Sequence, residues 1–305
     1  MSVKIMLDTD IGGDCDDAGA IALLHSLAKR GECEILSVTH CFKNEYYAGC
    51  IDAINTYFGR EDIPVGAFLA DSDAEYFSSD TYGKEIACEF PNKFGINGKY
   101  PSTVDVMRSV LENSADNEVT LVSIGTLHSL AAILKNHREL VEKKVCRTVI
   151  MGGRFESIWQ EDCGVTAEYN ISKDIEASRY VCDNWPGEIV FCSFETGVNI
   201  ITASTVEQKF DNNPVSRSYR IWHEKCDEVH KNTFGRSSWD LVTVLFAVRG
   251  CTDLWKLHPY GKVNVDDNGI TTWQNSSDFR HTILLEKADD EIVRKTIDEL
   301  LEEIM

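Results

Sequence analysis

The chain has 305 residues, of which 43% are hydrophobic and 26% are charged, as in an ordinary globular protein. Its net charge of −20 repels the phosphates of nucleic acids and anionic membranes, and no cluster of Lys and Arg offsets it. No apolar run is long enough to cross a membrane, and the first residues lack the apolar stretch of a signal peptide. We therefore expect neither a nucleic-acid nor a membrane partner.

Short apolar runs alternate with helical stretches over the first two thirds of the chain. The predicted strands are residues 3–7, 34–39, 64–69, 119–124, 146–151 and 188–193. The predicted helices are residues 17–30, 45–58, 103–115, 127–136 and 174–182, and the polar stretch 71–101 has weak periodicity. Alternating strands and helices indicate a parallel sheet with right-handed crossovers.

After residue 215 the pattern changes to two long helices, a hairpin and a final helix. The helices are predicted over residues 216–231, 238–249 and 289–303, and the hairpin strands over 261–265 and 270–273. No repeat and no linker rich in Pro, Gly or Ser divides the chain. The sequence thus predicts one domain, residues 1–305. Its α/β fold is an open, mostly parallel, Rossmann-like sheet flanked by helices, with an extra C-terminal helical and hairpin portion.

Eleven cysteines occur in the chain, and they form neither a CxxC pair nor a zinc-like spacing with His. Free thiols in this number are typical of a reduced compartment, because oxidising compartments favour disulfides. We therefore expect a cytoplasmic protein.

Five carboxylates follow the first predicted strand within ten residues: Asp8, Asp10, Asp14, Asp16 and Asp17. Ligands of open α/β sheets bind beyond the carboxyl ends of the strands, which is where this loop lies. Acids so close together repel one another without a cation, and oxygen ligands suit Ca²⁺ or Mg²⁺. Capping of the next helix would explain one or two of the acids, but not five. We therefore predict a site for a metal or a polar ligand.

This loop resembles the signature D-x-D-x-G-x-D-D-A of the nucleoside hydrolase family, the inosine–uridine-preferring N-ribohydrolases. It reads Asp8-Thr9-Asp10-Ile11-Gly12, then, after two additional residues, Asp16-Asp17-Ala18. Five later segments are similar to family motifs in the same order: residues 39–44, 121–127, 149–153, 167–171 and 238–240. The resemblance therefore covers most of the chain.

The resemblance implies an enzyme that hydrolyses the N-glycosidic bond of ribonucleosides and releases base and ribose. It implies Ca²⁺ bound by Asp10, Asp17, the backbone carbonyl of Ile124 and Asp240, with Asp10 also accepting a proton from the attacking water. The small-molecule partner is a nucleoside, and the assembly a homodimer or homotetramer. Without the resemblance, N-capping of its helix would be an ordinary role for Asp240.

The resemblance also implies which residues hold the sugar. Asp16, Asn44, Glu168 and Asn170 would hydrogen-bond the ribose, while Asp8 and Asp14 would orient the other acids from behind. The two additional residues leave open whether Asp14 or Asp16 takes the sugar role. Glu195, just beyond a predicted strand, is a further candidate contact for the ribose 5′ region. A surface turn or a helix cap is the alternative for Glu168 and Asn170.

Trp239 stands where many family members carry a His that serves as candidate acid for the departing base. Indole only donates a hydrogen bond and cannot supply a catalytic proton near neutral pH. The purine-specific branch of the family also has Trp here, so Trp239 indicates stacking on a purine and a role in purine salvage. A core position is the alternative. A second aromatic wall could come from Tyr76, Phe77 or Tyr82, and a substitute acid from His223 or His230.

Two other functions remain open from the sequence. A catalytically silent nucleoside- or sugar-binding protein would keep the calcium and ribose ligands without activating the leaving base. A haloacid-dehalogenase-like phosphatase would use Asp8 as a nucleophile and Mg²⁺ as its counter-ion. That phosphatase would have Thr or Val where this chain has Gly12.

Overall fold

The computed structural model describes residues 2–68, 80–93, 99–159, 166–225 and 233–305. Its strands are β1 (Val3–Thr9), β2 (Cys33–His40), β3 (Val65–Gly66), β4 (Val119–Ser123), β5 (Val145–Met151), β6 (Ile189–Cys192), β7 (Ile201–Thr202), β8 (Arg236–Ser237), β9 (Trp255–Leu257), β10 (Gly261–Val265), β11 (Thr271–Asn275) and β12 (His281–Glu286). Its helices are α1 (Asp16–Lys29), α2 (Tyr47–Tyr57), α3 (Gly83–Glu89), α4 (Thr103–Asn113), α5 (His128–Lys144), α6 (Glu156–Trp159), α7 (Tyr169–Ser172), α8 (Ile175–Asn184), α9 (Phe194–Gly197), α10 (Ser204–Lys209), α11 (Pro214–Lys225), α12 (Trp239–Arg249) and α13 (Asp290–Ile304).

The main sheet has the strand order β11-β10-β12-β6-β5-β4-β1-β2-β3, and β9 pairs with β12 beside it. All neighbours from β12 to β3 run parallel, whereas β9, β10 and β11 are antiparallel to their partners. Helices cover both faces of this sheet, so the expected open, mostly parallel α/β fold is confirmed.

Strand β1 lies between β2 and β4, where the order of the chain in the sheet reverses direction. On one side the chain continues from β1 to β2 and β3, and it then crosses over to β4, β5 and β6. The crevice at the carboxyl ends of strands beside such a reversal is the preferred ligand site of open α/β sheets. The acidic loop after β1 therefore emerges at this crevice.

Side chains of β1 alternate between two apolar cores. Ile5 and Leu7 pack on the face covered by α1, α2, α12 and α13, while Met6 packs on the opposite face with α4, α5 and α8. Both faces are buried, which explains the apolar run at the centre of the strand. Helix α1 is buried from Asp16 to Leu27, because it packs between α12 and α13. This burial places the start of α1 beneath the crevice.

The C-terminal hairpin belongs to the main sheet. Strand β12, which the sequence did not predict, pairs in parallel with β6 and joins the β10–β11 hairpin to the sheet. Its sequence, HTILLE, is a short apolar run between turns, and such a run does not distinguish a buried strand from a helix segment.

Several predicted boundaries also changed. Helix α5 continues to Lys144, beyond the predicted end at residue 136, and β3 is limited to two residues. Helix α11 is described to Lys225, and the rest of the helix predicted to residue 231 lies outside the described residues. Among the described helices, none combines the length and apolar character needed to span a membrane.

Candidate active site

A cavity of about 600 Å³ opens at the crevice beside β1, and this volume suits a small organic ligand. Acids form one part of its lining: Asp10, Asp14, Asp16, Asp17, Glu168 and Asp240. Aromatic rings and cations form another part: Arg154, Tyr169, Phe194, Trp222, Lys225, Arg236 and Trp239. Nine of the twelve site residues predicted from the sequence belong to this lining, and Asp8, Asn44 and Glu195 lie outside it.

Asp16, Asp17 and Asp240 form a tight carboxylate cluster in the floor of the cavity. One oxygen of each lies within 4.8 Å of one oxygen of each of the others, and all three residues are buried. Asp16 and Asp17 occupy the first turn of α1, and Asp240 occupies the first turn of α12. Two helix N-termini therefore converge on the cluster, and their dipoles favour negative charge there.

Burial and mutual repulsion disfavour the ionised form of these three carboxylates. Burial raises the pKa of Asp16, Asp17 and Asp240 well above the usual value, and the negative charge of neighbouring carboxylates raises each further. The Thr9 hydroxyl donates a hydrogen bond to Asp17, and the backbone N–H of Asp240 donates one to Asp16 at 3.3 Å. These contacts orient the carboxylates but do not neutralise them.

Asp10 and Ile124 lie in the same cavity as the cluster. The Asp10 carboxyl is within hydrogen-bonding reach of Asp17, and its pKa is raised to about 7, first by burial and then by the charge of Glu168. The Ile124 carbonyl accepts a hydrogen bond from the side-chain amide of Asn170 at 3.3 Å. A carboxyl that titrates near neutral pH is suited to accept a proton from water.

The donor set fits a hard divalent cation. Calcium binds oxygen ligands at ~2.4 Å, so two oxygens that share one ion lie no more than ~4.8 Å apart. The cluster meets this limit with three buried carboxylates, and a cation would remove their mutual repulsion. The cluster contains Asp16, which the sequence predicts as a sugar ligand. Asp10, which the sequence predicts as a calcium ligand, lines the same cavity but is not one of the three clustered acids.

Glu168 and Asn170 combine a structural role with a place in the cavity lining. The Glu168 carboxylate accepts hydrogen bonds from the backbone N–H groups of Gly153, Asn170 and Ile171, at 2.8 to 3.1 Å, and so caps α7. The Asn170 amide also donates to the Met151 carbonyl at 3.2 Å. The alternative of a helix cap is therefore correct for Glu168, yet both side chains still border the cavity.

Asn44 and Glu195 do not border the cavity. The Asn44 side chain accepts a hydrogen bond from the backbone N–H of Tyr46 at 2.8 Å, because it closes the turn before α2. Glu195 is buried, and its carboxylate accepts a hydrogen bond from the backbone N–H of Phe155 at 2.7 Å. Neither side chain belongs to the cavity lining, and the sugar contacts predicted for these two residues stay predictions.

Asp8, predicted to orient the other acids, lies in β1 outside the cavity lining. It is fully buried, and the Thr39 hydroxyl of β2 donates a hydrogen bond to its carboxylate at 2.6 Å. Burial raises its pKa to about 8, although the Thr39 hydrogen bond opposes the shift. Because Asp8 is outside the cavity lining, it is not placed to attack a phosphoester, as the phosphatase alternative requires.

Asp14, predicted to orient the other acids, lines the cavity and pairs with a cation. Its carboxylate forms a two-pronged ion pair with the guanidinium of Arg236, with a shortest distance of 2.6 Å. The Arg236 guanidinium lies 4.5 Å from the ring centroid of Trp222 and 5.0 Å from that of Trp239. The loop after β1 is therefore linked to the aromatic wall.

This wall contains Phe194, Trp222 and Trp239. The centroids of Phe194 and Trp239 are 5.5 Å apart, and the Trp239 indole donates a hydrogen bond to the Phe194 carbonyl at 2.8 Å. Trp222 is the second Trp of the cavity, and it comes from α11. The sequence did not identify it, although Phe194 could have been found as the residue directly after a predicted strand.

Tyr82 and His223, the described members among the other candidates for the wall and for an acid, lie outside the cavity lining. Tyr82 is fully buried and donates a hydrogen bond to the Asp14 carbonyl at 2.8 Å. His223 forms a buried pair with Glu207 at 2.8 Å. No described histidine lines the cavity, and Tyr76, Phe77 and His230 lie outside the described residues.

Comparison with known proteins agrees with this geometry. The profile of the family described as "Inosine-uridine preferring nucleoside hydrolase" matches residues 5–295. The chain is 28% identical over 266 residues to the pyrimidine-specific ribonucleoside hydrolase RihA of Salmonella choleraesuis. That alignment covers 85% of this chain and 81% of the relative.

Solved structures of nucleoside hydrolases share the fold. The purine-preferring ribonucleoside hydrolase from Gardnerella vaginalis superposes with a TM-score of 0.76 at 15% identity, over 99% of both chains. The inosine-uridine preferring nucleoside hydrolase from Bacillus anthracis superposes with a TM-score of 0.72 at 19% identity, over 99% of this chain and 98% of the other. With the family match over nearly its whole length, the chain belongs to the inosine-uridine preferring nucleoside hydrolase family, whose members are enzymes that hydrolyse N-glycosidic bonds.

Proposed function

We propose that the chain catalyses the calcium-dependent hydrolysis of ribonucleosides, with release of base and ribose. The observation that carries this proposal is the cluster of Asp16, Asp17 and Asp240 at two helix N-termini in the cavity floor. Buried carboxylates at this spacing are stabilised by a divalent cation, and a cation there can hold a sugar by its vicinal hydroxyls.

Asp10, Asp17, Asp240 and the Ile124 carbonyl would hold the cation, and Asp16 beside them would accept a hydrogen bond from a ribose hydroxyl. When bound, the cation lowers the pKa of water and binds vicinal hydroxyls. Asp10 would accept the proton of the attacking water, a role that its place in the cavity lining beside the cluster supports. Glu168 and Asn170 border the sugar, and Asp8 supports the loop from behind.

The departing base stacks on the aromatic wall of Phe194, Trp222 and Trp239. Stacking stabilises a purine more than a pyrimidine, because the purine has the larger ring surface. We therefore propose a purine preference. The relatives differ on this point, since RihA is named as pyrimidine-specific and the Gardnerella vaginalis enzyme as purine-preferring.

A panel of purine and pyrimidine ribosides tests this function. The pure protein is incubated with each riboside and calcium, with and without a chelator, and free ribose is measured as reducing sugar. We expect ribose release that stops on chelation and returns with added calcium. Binding of ribosides without release would instead support a silent binding protein. The observation that favours this second function is that no described histidine lines the cavity to protonate the leaving base.

We further propose a single-domain, cytoplasmic enzyme of purine salvage that assembles as a homodimer or homotetramer. The nine described cysteines are all free, which supports a reduced compartment. Light scattering after size-exclusion chromatography measures the mass of the assembly, and a monomer at micromolar concentration would contradict the proposed assembly.

A further inference from the structure

Arg236 brings a guanidinium into the part of the cavity where the aromatic wall lies. Its guanidinium carbon lies 4.5 Å from the ring centroid of Trp222 and 5.0 Å from that of Trp239. Its side chain is 20% exposed, and the residue belongs to the cavity lining. Because guanidinium groups stack on aromatic faces, a base stacked on the same wall would lie beside Arg236. The edge of that base would then meet N–H donors.

Three features of the fold fix the position of this guanidinium. Nε and Nη2 of Arg236 donate to the Asp14 carboxylate at 2.6 to 3.0 Å. The backbone of Arg236 pairs with Thr202 in the antiparallel ribbon of β7 and β8. Gly235, just before it, has a φ of +77° and donates its N–H to the Glu207 carboxylate at 2.9 Å. A donor held in this way loses little further freedom when it binds a ligand.

The pair with Asp14 uses one edge of the guanidinium. A guanidinium carries only hydrogen-bond donors, and the pair takes the edge formed by Nε and Nη2. Nη1 and the second N–H of Nη2 form another edge, which takes no part in this pair. Two donors side by side match two neighbouring acceptors on a planar base.

The two common kinds of purine differ on the edge that such donors recognise. A 6-oxopurine presents its O6 and N7 acceptors side by side, and arginine binds them with two hydrogen bonds. A 6-aminopurine presents N7 beside an amino group, whose N–H groups oppose those of a guanidinium. Arginine is therefore complementary to hypoxanthine and guanine, and it is not complementary to adenine.

We propose that Arg236 binds the O6 and N7 edge of the base, so that the enzyme selects inosine and guanosine over adenosine. This inference rests on the proposed function for the ribose and the calcium, and it narrows the purine preference to 6-oxopurines. Asp14 lies between Gly12 and Asp16, in the segment that is two residues longer than the family signature. The ion pair that orients Arg236 therefore depends on this longer loop.

Charge balance is the alternative role for Arg236, because its guanidinium pairs with an acid of the loop after β1. A residue that only balances charge affects all ribosides alike. A residue that binds the base edge changes the ratio of kcat/KM between ribosides, since the unsuitable base leaves polar groups unpaired. This ratio separates the two roles and does not depend on the folded fraction of a variant.

Kinetics of Arg236→Gln and Arg236→Lys test the proposal. kcat/KM is measured with calcium for inosine, guanosine and adenosine, and the wild type should favour both 6-oxopurine ribosides. Arg236→Gln should lower the ratio of inosine to adenosine by about 10- to 100-fold, the size of a bidentate contact to a base. Arg236→Lys should recover part of the ratio, because it keeps the charge beside Asp14 without the fork.

Arg249→Gln is the matched control. Arg249 forms a similar two-pronged pair with Glu32, at 2.8 and 2.9 Å, and lies outside the cavity lining, so its loss should leave the ratio unchanged. The double variant Asp14→Asn, Arg236→Gln leaves no unpaired Asp14 carboxylate and should show the same lowered ratio as Arg236→Gln. A wild type that cleaves adenosine as efficiently as inosine, or a wild-type ratio in both Arg236→Gln and the double variant, would overturn the proposal.

A binding measurement separates this inference from the proposed function. The affinities of the free bases hypoxanthine and adenine are measured by calorimetry, which requires neither catalysis nor a sugar. Tighter binding of hypoxanthine by the wild type, lost in Arg236→Gln and kept in Arg249→Gln, supports the base contact even if no riboside is cleaved. Equal affinities for the two bases, or no measurable binding of either, would reject it even if every riboside is cleaved.

Discussion

At the scale of single residues, the site depends on carboxylates whose neighbours determine their roles. Asp16 and Asp17 are adjacent in the chain, yet they have different hydrogen-bond donors. Asp17 accepts a hydrogen bond from the Thr9 hydroxyl, and Asp16 accepts one from the backbone N–H of Asp240. Both lie in the same tight cluster. The proposed function assigns the cation to Asp17 and a ribose hydroxyl to Asp16, and this division can be tested directly.

Asp17→Asn and Asp16→Asn should separate metal binding from sugar binding. Loss of the Asp17 ligand should weaken calcium binding by more than ~100-fold, since even residues behind a ligand contribute ~10- to 100-fold. Asp16→Asn should keep the calcium affinity within ~10-fold of the wild type and still lower kcat/KM. Calorimetric titration with calcium gives both affinities. Losses of the same size in both variants would place Asp16 among the metal ligands.

The two asparagines predicted as sugar ligands make a second pair of variants. Asn170 borders the cavity, whereas the Asn44 side chain closes a turn. Asn170→Ala should lower kcat/KM for a nucleoside by about 10- to 100-fold, as for the loss of a buried hydrogen-bonding group. Asn44→Ala should change it by no more than about twofold. Thermal melts check that both variants are folded, and the reverse order of effects would contradict the placement of Asn44.

At the scale of elements, helix termini and strand ends bring the site together. Helices α1 and α12 begin at the acid cluster, and α11 contributes Trp222 from its C-terminal half. Gly12 in the loop after β1 has a φ of +114°, and a Cβ there would collide with the ring of Tyr47. A glycine is therefore required where the loop turns towards α1.

The aromatic wall predicts unequal losses on purines and pyrimidines. Trp222→Ala and Trp239→Ala should each lower kcat/KM for inosine by about 10- to 100-fold and affect uridine less, since each stacked base gains ~1–3 kcal/mol. Trp273→Ala, on the edge strand β11 away from the cavity, is the control and should affect both substrates alike. Steady-state rates with the two ribosides measure the difference, and equal fractional losses in the wall variants would reject stacking on a purine.

At the scale of the whole molecule, folding brings the buried acids Asp16, Asp17 and Asp240 together, and the nearby Arg236 guanidinium is already paired with Asp14. The proposed calcium ion would therefore stabilise the fold as well as take part in the reaction. A ligand that binds the native state alone at 100 times its Kd raises the free energy of unfolding by about 2.7 kcal/mol. The pH dependence of this free energy follows from the same acids.

Between pH 6.5 and 8, the calcium-free protein should lose stability as the pH rises. The pKa values of Asp8 and Asp10 are raised to about 8 and about 7, so the native state keeps protons that the unfolded chain has released. Each such proton lowers the free energy of unfolding by ~1.4 kcal/mol per pH unit. Burial lowers the pKa of three histidines to about 4: His25, His40 and His281. They make the free energy of unfolding rise with pH between about 4 and 6.5, and they no longer change it above pH 6.5.

Urea denaturation at several pH values, with calcium and with a chelator, measures this effect. Calcium should reduce the slope, because the cation replaces the protons on Asp10 and on the cluster. A metal-free protein whose stability rises with pH between 6.5 and 8 would contradict the raised pKa values. Identical slopes with and without calcium would contradict the placement of the cation at these acids.

The sequence alone determined much of the architecture. Strands in parallel sheets are near-continuous apolar runs, and the five predicted strands β1, β2, β4, β5 and β6 were visible for that reason. The acidic loop could be assigned to a ligand site, because five acids directly after a strand have no simpler explanation. The resemblance to a family further indicated Asp240, Glu168 and Asn170, all of which line the cavity.

Only the tertiary structure decided which side chains share the cavity. Asp240 reaches Asp16 across 224 positions of sequence, and Trp222 becomes part of the wall because α11 packs beside α1. Asn44 and Glu195 follow predicted strands as well, but their side chains bond nearby backbone N–H groups instead. Position after a strand places a residue near the crevice, whereas the direction of its side chain depends on local hydrogen bonds and packing between distant elements.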